Sequence, residues 1–174
     1  MDTNKNCAIC GRKAVFYSPY LKQELCKKHF ERMLLKRVKS NINANKSRSR
    51  LFVLGNNNYC GRSFLEFMFK DMQGKGGDKL YSYTLEDFAI SVMKFFLFHE
   101  PTDKKIKEKD GFSPLFNVSE NEIISFFRLK KKILAGVKRN EKDEKVLKFL
   151  TEIEERRPGG MISLVKAGIE LGII

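Results

Sequence analysis

The sequence has no long apolar run and few cysteines, and both shortages limit what the protein can be. No stretch approaches the roughly 20 apolar residues that cross a bilayer, so no membrane partner is predicted. The first residues, Met-Asp-Thr-Asn-Lys, lack the apolar core of a secretion signal, so we expect a cytoplasmic protein. In that reducing environment, clustered cysteines more often hold metal than pair as disulfides.

Acidic residues are scarce in the first fifty positions. These positions carry 13 Lys or Arg against 3 Asp or Glu, whereas residues 51–174 carry 21 against 18. A concentrated excess of cations favours binding to nucleic acid, because neutralising phosphates releases condensed counterions. The alternative is a basic surface that serves only solubility.

Three of the four cysteines and one of the two histidines lie within the first thirty residues. The four residues are Cys7, Cys10, Cys26 and His29. Each close pair is separated by two residues, and fifteen residues lie between the pairs. This spacing is typical of a tetrahedral structural Zn²⁺ site, in which four protein ligands leave no position open for water. The alternative is a set of buried thiols beside a surface histidine.

The second ligand pair is predicted to begin a basic helix over residues 26–42. Phe30, Leu34, Val38 and Ile42 recur at helical spacing, which predicts one buried stripe. Another face carries cations that few acids offset, and these cations are predicted to bind RNA. The predicted RNA-binding residues are Lys28, Arg32, Lys36, Arg37, Lys39, Arg48 and Arg50. The alternative is a charged face that only meets solvent.

Two domains are predicted, a zinc finger with its basic helix over residues 1–45 and an α/β domain over residues 51–174. Strands are predicted at 51–54 and 79–83, and Ser63 is predicted to cap a helix between them. Residues 100–112 are predicted to form a charged loop. The expected main domain therefore has only two or three strands and a helical C-terminal half.

Capping boxes and stop signals define the predicted helices of that half. Thr84 with Asp87, and Ser119 with Glu122, have the spacing of a capping box. Apolar periodicity predicts one further helix over 144–157, which the Pro-Gly-Gly sequence at 158–160 ends, and a last helix over 161–171.

Several stretches, taken in chain order, resemble one family. The segment from Cys7 to Ile42 is similar to a zinc finger followed by a basic helix. Residues 81–89, Tyr-Ser-Tyr-Thr-Leu-Glu-Asp-Phe-Ala, resemble a Gly-His-Asn-Leu-Asp-Asp-x-Ala motif, and residues 114–123 resemble a Pro-Leu-x-x-x-x-Glu-x-Glu-Ile element. Residues 149–159 resemble a helix with a Pro-Gly stop. These motifs are those of the cytosolic and archaeal tRNA 2-thiolation proteins of the PP-loop ATP pyrophosphatase superfamily.

The resemblance implies a Rossmann-like domain of the adenine nucleotide alpha hydrolase type. It also implies wobble-uridine thiolation, in which ATP with Mg²⁺ adenylates a base carbonyl oxygen and sulfur displaces AMP. The nucleotide-binding residues implied are Gly55, Gly61, Arg62, Ser63, Glu86 and Asp87. Backbone amides at a helix start, together with Arg62, can hold an anion.

The departures from the family are large. Residues 55–63 stand where the family has Ser-Gly-Gly-x-Asp-Ser, the long middle portion is reduced to a loop at 74–78, and Cys60 is the only thiol outside the finger. The resemblance therefore implies a shortened and degenerate member, a non-catalytic tRNA-binding subunit that pairs with an intact thiolase. Separately, a short sheet leaves edges and helix faces to be covered, which favours a homodimer or a heterodimer. The alternatives are an active thiolation enzyme with a rebuilt phosphate loop and a zinc-ribbon adaptor that binds protein.

Overall fold

The computed structural model describes residues 5–19, 21–45, 51–54, 58–70, 78–102, 104–108, 111–134 and 136–174. The strands among these residues are β1 (Phe16–Ser18), β2 (Gln23–Leu25), β3 (Leu51–Leu54), β4 (Asp78–Tyr81), β5 (Lys107–Glu108) and β6 (Gly111–Phe112). The helices are α1 (Lys27–Ala44), α2 (Tyr59–Met68), α3 (Leu85–Phe98), α4 (Glu120–Leu129), α5 (Glu141–Arg156) and α6 (Gly160–Glu170). The protein is thus mixed α/β, and none of the described helices is long and apolar enough to span a membrane.

The finger is a β-hairpin packed on the start of α1. β1 and β2 pair antiparallel, with Phe16 opposite Leu25, and Phe16 stacks on Phe30 of α1 at a ring-centroid distance of 4.2 Å. The predicted stripe of α1 is confirmed, because Phe30, Leu34, Val38 and Ile42 are its buried residues. Apolar positions spaced by four residues stay on one side of a helix, so the charged positions between them remain at the surface.

The sheet of the main domain has the order β3-β4-β6-β5. β3, β4 and β6 run parallel, and β5 pairs antiparallel with β6. The prediction of two or three strands was wrong, because the sheet has four, and two short strands form within residues 100–112, the charged segment predicted as a loop. These strands are two residues each, too short to produce an alternating pattern in the sequence.

Helix starts in this domain follow local signals, with one exception. Both predicted capping boxes are confirmed, at Thr84 for α3 and at Ser119 for α4. The prediction that Ser63 caps α2 was wrong, because the helix begins earlier. Asn58 is the N-cap residue, and its Oδ1 accepts a hydrogen bond from the Gly61 N–H at 2.9 Å. Asn and Ser are similarly favoured at the N-cap, so residue preference alone does not distinguish Asn58 from Ser63.

The finger shares its core with the main domain. Phe30, Leu34 and Val38 belong to the same buried cluster as Phe64 of α2 and Phe126 of α4. The proposed boundary near residue 45 stays a prediction, since it falls beside residues 46–50, which lie outside the described residues. A second buried cluster joins α3, α5 and α6.

Polar contacts also fix α1 on α4. Arg37 Nη1 donates to both carboxylate oxygens of Glu122, at 3.0 and 2.9 Å, and to the carbonyl oxygen of Asn117 at 3.0 Å. Lys27 Nζ donates to the carbonyl oxygen of Leu129 at 3.2 Å. These contacts bridge the two ends of α4 to α1, so the orientation of the basic helix is set by the main domain as well as by the finger.

Candidate metal centre and nucleic-acid interface

The ligand atoms of Cys7, Cys10, Cys26 and His29 all lie within 4.8 Å of one another, so the group can hold a metal ion. Sulfur and nitrogen ligands of a tetrahedral zinc ion are expected about 3.8 Å (S to S) and about 3.5 Å (S to N) apart. Here the Sγ atoms of Cys10 and Cys26 are 3.7 Å apart, and His29 Nδ1 lies 3.4 and 3.5 Å from the Sγ atoms of Cys7 and Cys26. The spacing fits one ion with four ligands.

Backbone geometry brings the two ligand pairs together. The Gly11 N–H donates to the Cys7 carbonyl at 2.9 Å, which closes a tight turn around the first pair. Gly11 has a φ of +68°, a conformation that glycine adopts without strain. The second pair is held differently, because Cys26 is the N-cap of α1 and His29 lies in its first turn. The Ala8 N–H donates to the Glu24 carbonyl at 2.9 Å and joins the two halves.

Thiolate is the form that binds metal, and the surroundings shift the pKa values of two of the thiols in opposite directions. A hydrogen bond at the backbone of Arg12 favours ionisation of Cys10, but burial and hydrogen bonds with the Cys26 and Cys7 thiols outweigh it and raise the pKa of Cys10. Burial opposes ionisation of the Cys7 thiol, but hydrogen bonds at the backbone of Cys26 and Ile9 outweigh burial and lower the pKa of Cys7 to about 6. This thiol is therefore ionised at neutral pH before any metal arrives. The structure places all four predicted ligands in one site, and the remaining cysteine, Cys60, lies elsewhere in the core.

A broad groove of about 1040 Å³ runs along the outer side of α1. Four of the predicted RNA-binding residues line it: Lys28, Arg32, Lys36 and Lys39. Three further cations, which were not predicted, also line the groove: Arg12, Lys13 and Lys27. The prediction used helical spacing, which identifies residues along one side of α1 but cannot show which residues of the finger lie beside that helix. The acid in the lining, Glu31, pairs with Lys130 at 3.0 Å, so it offsets little of the charge in the groove.

The remaining predicted RNA-binding residues do not join this face within the described structure. Arg37 has a side chain only 13% exposed, and its ion pair with Glu122 ties α1 to α4. Consecutive helical residues point in directions about 100° apart, so Arg37 faces the main domain while Lys36 faces the groove. In this structure Arg37 anchors α1 to α4. Arg48 and Arg50 lie outside the described residues.

The residues predicted to bind nucleotide are largely engaged with other parts of the protein. A Cβ on Gly61 would lie 2.1 Å from the carbonyl oxygen of Ser82, so this glycine lets α2 approach the end of β4. Arg62 Nε pairs with Glu66 on the same helix at 2.7 Å. Ser63 lies inside α2, and Gly55 lies outside the described residues.

Both predicted carboxylates cap helices. Asp87 Oδ2 accepts a hydrogen bond from the Thr84 N–H at 3.0 Å and so completes the cap of α3. Glu86 accepts the Glu120 N–H, with both of its oxygens at 3.0 Å from the nitrogen, at the start of α4. Each side chain thus accepts a backbone N–H that the start of a helix leaves without a partner inside the helix.

A buried ionic cluster lies beyond the carboxyl end of β4, and sequence reasoning missed it. Arg139, with a side chain 6% exposed, pairs with Asp87 at 3.3 Å and with Glu120. Asn58 Nδ2 donates to Asp87 Oδ2 at 2.5 Å and to Thr84 Oγ1 at 3.1 Å. Ligands of parallel α/β sheets bind outside the carboxyl ends of the strands, so here a protein cation occupies the region that would receive a ligand.

Glu86 is the group in this cluster most altered by its surroundings. Burial and then the charge of Glu120 raise the pKa of Glu86 from its ordinary 4.5 to about 8. At neutral pH the carboxyl therefore holds a proton, while one of its oxygens still accepts the Glu120 N–H. A protonated carboxyl group can still accept a hydrogen bond at a helix start, but it is a poor ligand for Mg²⁺, which binds charged carboxylates.

The raised pKa predicts how stability depends on pH. Because the folded-state pKa lies above the unfolded value, the folded protein keeps a proton that the unfolded chain releases, so this group lowers stability as pH rises from about 4.5 to about 8. In Glu86→Gln that dependence disappears, because the amide oxygen still accepts the N–H and does not titrate. Wild type should lose up to roughly 1 kcal/mol per pH unit relative to the variant across that range. Urea unfolding of both proteins at several pH values measures this, and parallel stability curves would contradict it.

No protein-family model and no curated protein matches the sequence. A solved structure does match: the U34-tRNA thiolase NcsA from Methanococcus maripaludis with its [4Fe-4S] cluster. The TM-score is 0.73 at 12% sequence identity, and the match covers 98% of this chain and 88% of that chain. The two chains share a fold. The mixed α/β fold expected from the sequence is therefore confirmed.

Proposed function

We propose that this chain is a tRNA-binding protein related to the wobble-uridine thiolation enzymes and that it works in the cytoplasm without catalysing thiolation itself. One structural Zn²⁺ ion held by Cys7, Cys10, Cys26 and His29 fixes the finger. The groove along α1 receives the RNA backbone. The observation that carries the proposal is the run of exposed cations on a helix that is tied to the main domain at its first residue, Lys27, and at its middle, Arg37.

The spacing of these cations suits a phosphate backbone. Lys28, Arg32 and Lys36 follow one another at intervals of four residues, which is about 6 Å along a helix. Successive phosphates of a nucleic-acid strand are separated by a similar distance. Val15 and Leu35 provide an apolar part of the groove lining, against which sugars and bases can pack. Lys39 continues the row, and Arg12 and Lys13 widen it on the finger side.

The site at the strand ends supports a role without ATP chemistry. Arg139 and Asn58 both bind the carboxylates of Asp87 and Glu120 there, and the Gly61 N–H is already used by Asn58. An ATP molecule with Mg²⁺ would have to displace Arg139 from its ion pairs. Removing one partner from a buried ion pair costs about 3 to 5 kcal/mol, which opposes nucleotide binding.

The cysteine content supports a role in which the chain does not transfer sulfur. NcsA was solved with a [4Fe-4S] cluster, which this chain is not proposed to hold. Its four finger ligands are spaced for a single ion, and Cys60 is the only other thiol in the sequence. Cys60 is fully buried, and burial and the charge of Glu120 raise its pKa to about 12, which disfavours the thiolate that metal binding and nucleophilic attack require.

Binding of tRNA and of ATP should be measured on the same nuclease-treated protein. Fluorescence anisotropy with a labelled tRNA is expected to show binding whose affinity falls steeply with salt. Calorimetry with ATP and Mg²⁺ should show no binding, and no AMP should form when tRNA is added. Formation of AMP would instead establish the active-enzyme alternative, and absence of tRNA binding at low salt would reject the proposal.

A further inference from the structure

The segment that ends α4 and follows it is strongly basic. Residues 128–139 contain six Lys or Arg and no Asp or Glu, although residues 51–174 as a whole carry 21 against 18. Arg128, Lys131 and Lys132 of this segment are exposed, and none of the three lines the groove on α1. They therefore present a second concentration of positive charge, which favours phosphate. We call these three residues the basic turn.

Hydrogen bonds to the last turn of α4 fix the backbone of the basic turn. The Lys131 N–H donates to the Arg128 carbonyl and the Lys132 N–H donates to the Phe127 carbonyl, both at 2.9 Å. Lys131 has a φ of +58°, the left-handed conformation that ends many helices and that glycine adopts at lower cost. The cations thus start from a defined turn of the backbone.

The basic turn lies beside one end of the groove on α1. Lys27 and Glu31, in the first turns of α1, both line the groove. Lys27 Nζ donates to the Leu129 carbonyl at 3.2 Å, and Lys130 pairs with Glu31 at 3.0 Å. A strand that leaves the groove at the start of α1 therefore meets the basic turn next.

An exposed aromatic ring lies next to the basic turn. Phe67, near the end of α2, is 43% exposed. Its ring packs edge to face with Phe126 and Phe127, at centroid distances of 5.5 and 5.7 Å, and these contacts hold its orientation. Lys132 Nζ lies 5.9 Å from the centre of the Phe67 ring. A fixed ring beside cations suits an unpaired nucleotide, because the base stacks on the ring while the cations bind phosphate.

We propose that Phe67 and the basic turn bind an unpaired nucleotide of the RNA whose backbone lies in the groove on α1. A nucleotide inside a duplex is a poor ligand for this site, because its base is already stacked between neighbours and cannot reach the ring. The proposal rests on the proposed function, since the same RNA occupies both sites. It depends on its own residues, however, so the two sites can be tested separately.

Phe67→Leu tests the stacking. Anisotropy should be measured on the full chain with labelled tRNA and with a labelled, blunt-ended RNA duplex. The variant should bind tRNA on the order of tenfold more weakly at an unchanged salt slope, because it loses a stacked base and no phosphate contact. Its affinity for the duplex should equal that of wild type. Leucine retains apolar contact with Phe126 and Phe127, so the variant should stay folded in far-ultraviolet circular dichroism.

Lys131→Gly tests the phosphate contact. It should bind tRNA about fivefold more weakly and lower the salt slope by about 0.7 to 0.9, because one cation is lost. The urea midpoint should nevertheless rise, because glycine adopts the positive φ at lower cost. A loss of affinity in a more stable protein cannot come from unfolding. Lys131→Arg should keep the affinity and slope of wild type.

Lys22→Gly is the matched control. Lys22 is also exposed and has a φ of +51°, but it lies in the hairpin of the finger and does not line the groove. This variant loses the same charge from the same backbone conformation, so its urea midpoint should rise and its tRNA affinity should stay as in wild type.

Three results would overturn the proposal while leaving the groove on α1 in place. They are equal losses of affinity in Lys131→Gly and Lys22→Gly, tRNA binding by Phe67→Leu that matches wild type, and equal losses of tRNA and duplex binding in Phe67→Leu. Replacement of Lys28, Arg32 and Lys36 tests the groove by itself. A wild type that does not bind tRNA at low salt would reject the proposed function and this proposal together.

Discussion

Replacing Cys26 with serine is expected to release the metal and to unfold the hairpin of the finger. A structural zinc site contributes about 10 to 16 kcal/mol of binding free energy, and a segment as small as residues 5–26 has no core of its own that could replace it. α1 should stay folded, because Leu34 and Val38 pack in the shared core and Arg37 holds Glu122. Unfolding caused by the substitution should therefore extend through the hairpin and end near the first turn of α1.

Metal analysis and hydrogen exchange measure this outcome together. Wild type should contain one equivalent of zinc and protect the amides of β1 and β2, whereas Cys26→Ser should contain none and protect neither strand. Cys60→Ser is the matched control, since it also removes a buried thiol but leaves the four ligands intact. If freshly isolated wild type lacks zinc and its hairpin is nonetheless protected, the metal site is wrong.

Replacing Lys28, Arg32 and Lys36 together with glutamine is expected to weaken tRNA binding strongly. Removing one cation that neutralises a phosphate lowers the slope of log affinity against log salt by about 0.7 to 0.9, so the slope should fall by about two to three. At physiological salt this corresponds to a loss on the order of 100-fold in affinity. The variant should keep its fold, since all three side chains are exposed.

A second triple variant with the same change in net charge distinguishes RNA binding by the α1 groove from non-specific attraction of RNA to the positively charged chain. Lys145, Lys148 and Arg156 are exposed cations of α5, and their replacement by glutamine should leave both affinity and slope close to wild type. Equal losses in the two triple variants would mean that the chain binds RNA through its overall charge. An unchanged affinity in the α1 variant would show that the groove does not bind RNA.

Features with a local physical cause could be predicted from the sequence. The ligand spacing, the buried stripe of α1 and the two capping boxes each depend on nearby residues. The structure confirms the stripe and both capping boxes, and it brings the four predicted ligands together in a group that can hold a metal ion. The parallel order of β3, β4 and β6 came only with the structure, since strand pairing joins residues far apart in the chain.

Residues whose role depends on a distant partner were assigned less well. Arg37 looks like its cationic neighbours in sequence, yet Glu122, 85 residues away, determines its role. Arg139 has no helical or motif spacing that marks it in the sequence, but the carboxylates of Asp87 and Glu120 pair with it in the interior. Neither partner can be found without the fold, because spacing along the chain carries no signal for such pairs.

The central claim is that one zinc ion positions cations for an RNA backbone, and a zinc titration tests it most directly. Metal-free protein should bind tRNA with reduced affinity and a reduced salt slope, because Arg12, Lys13 and the first turn of α1 lose their fixed positions. Adding zinc should restore both in proportion to occupancy and reach wild-type values at one equivalent. Metal-free protein that binds tRNA as tightly as the zinc-loaded form, with the same slope, would contradict the account.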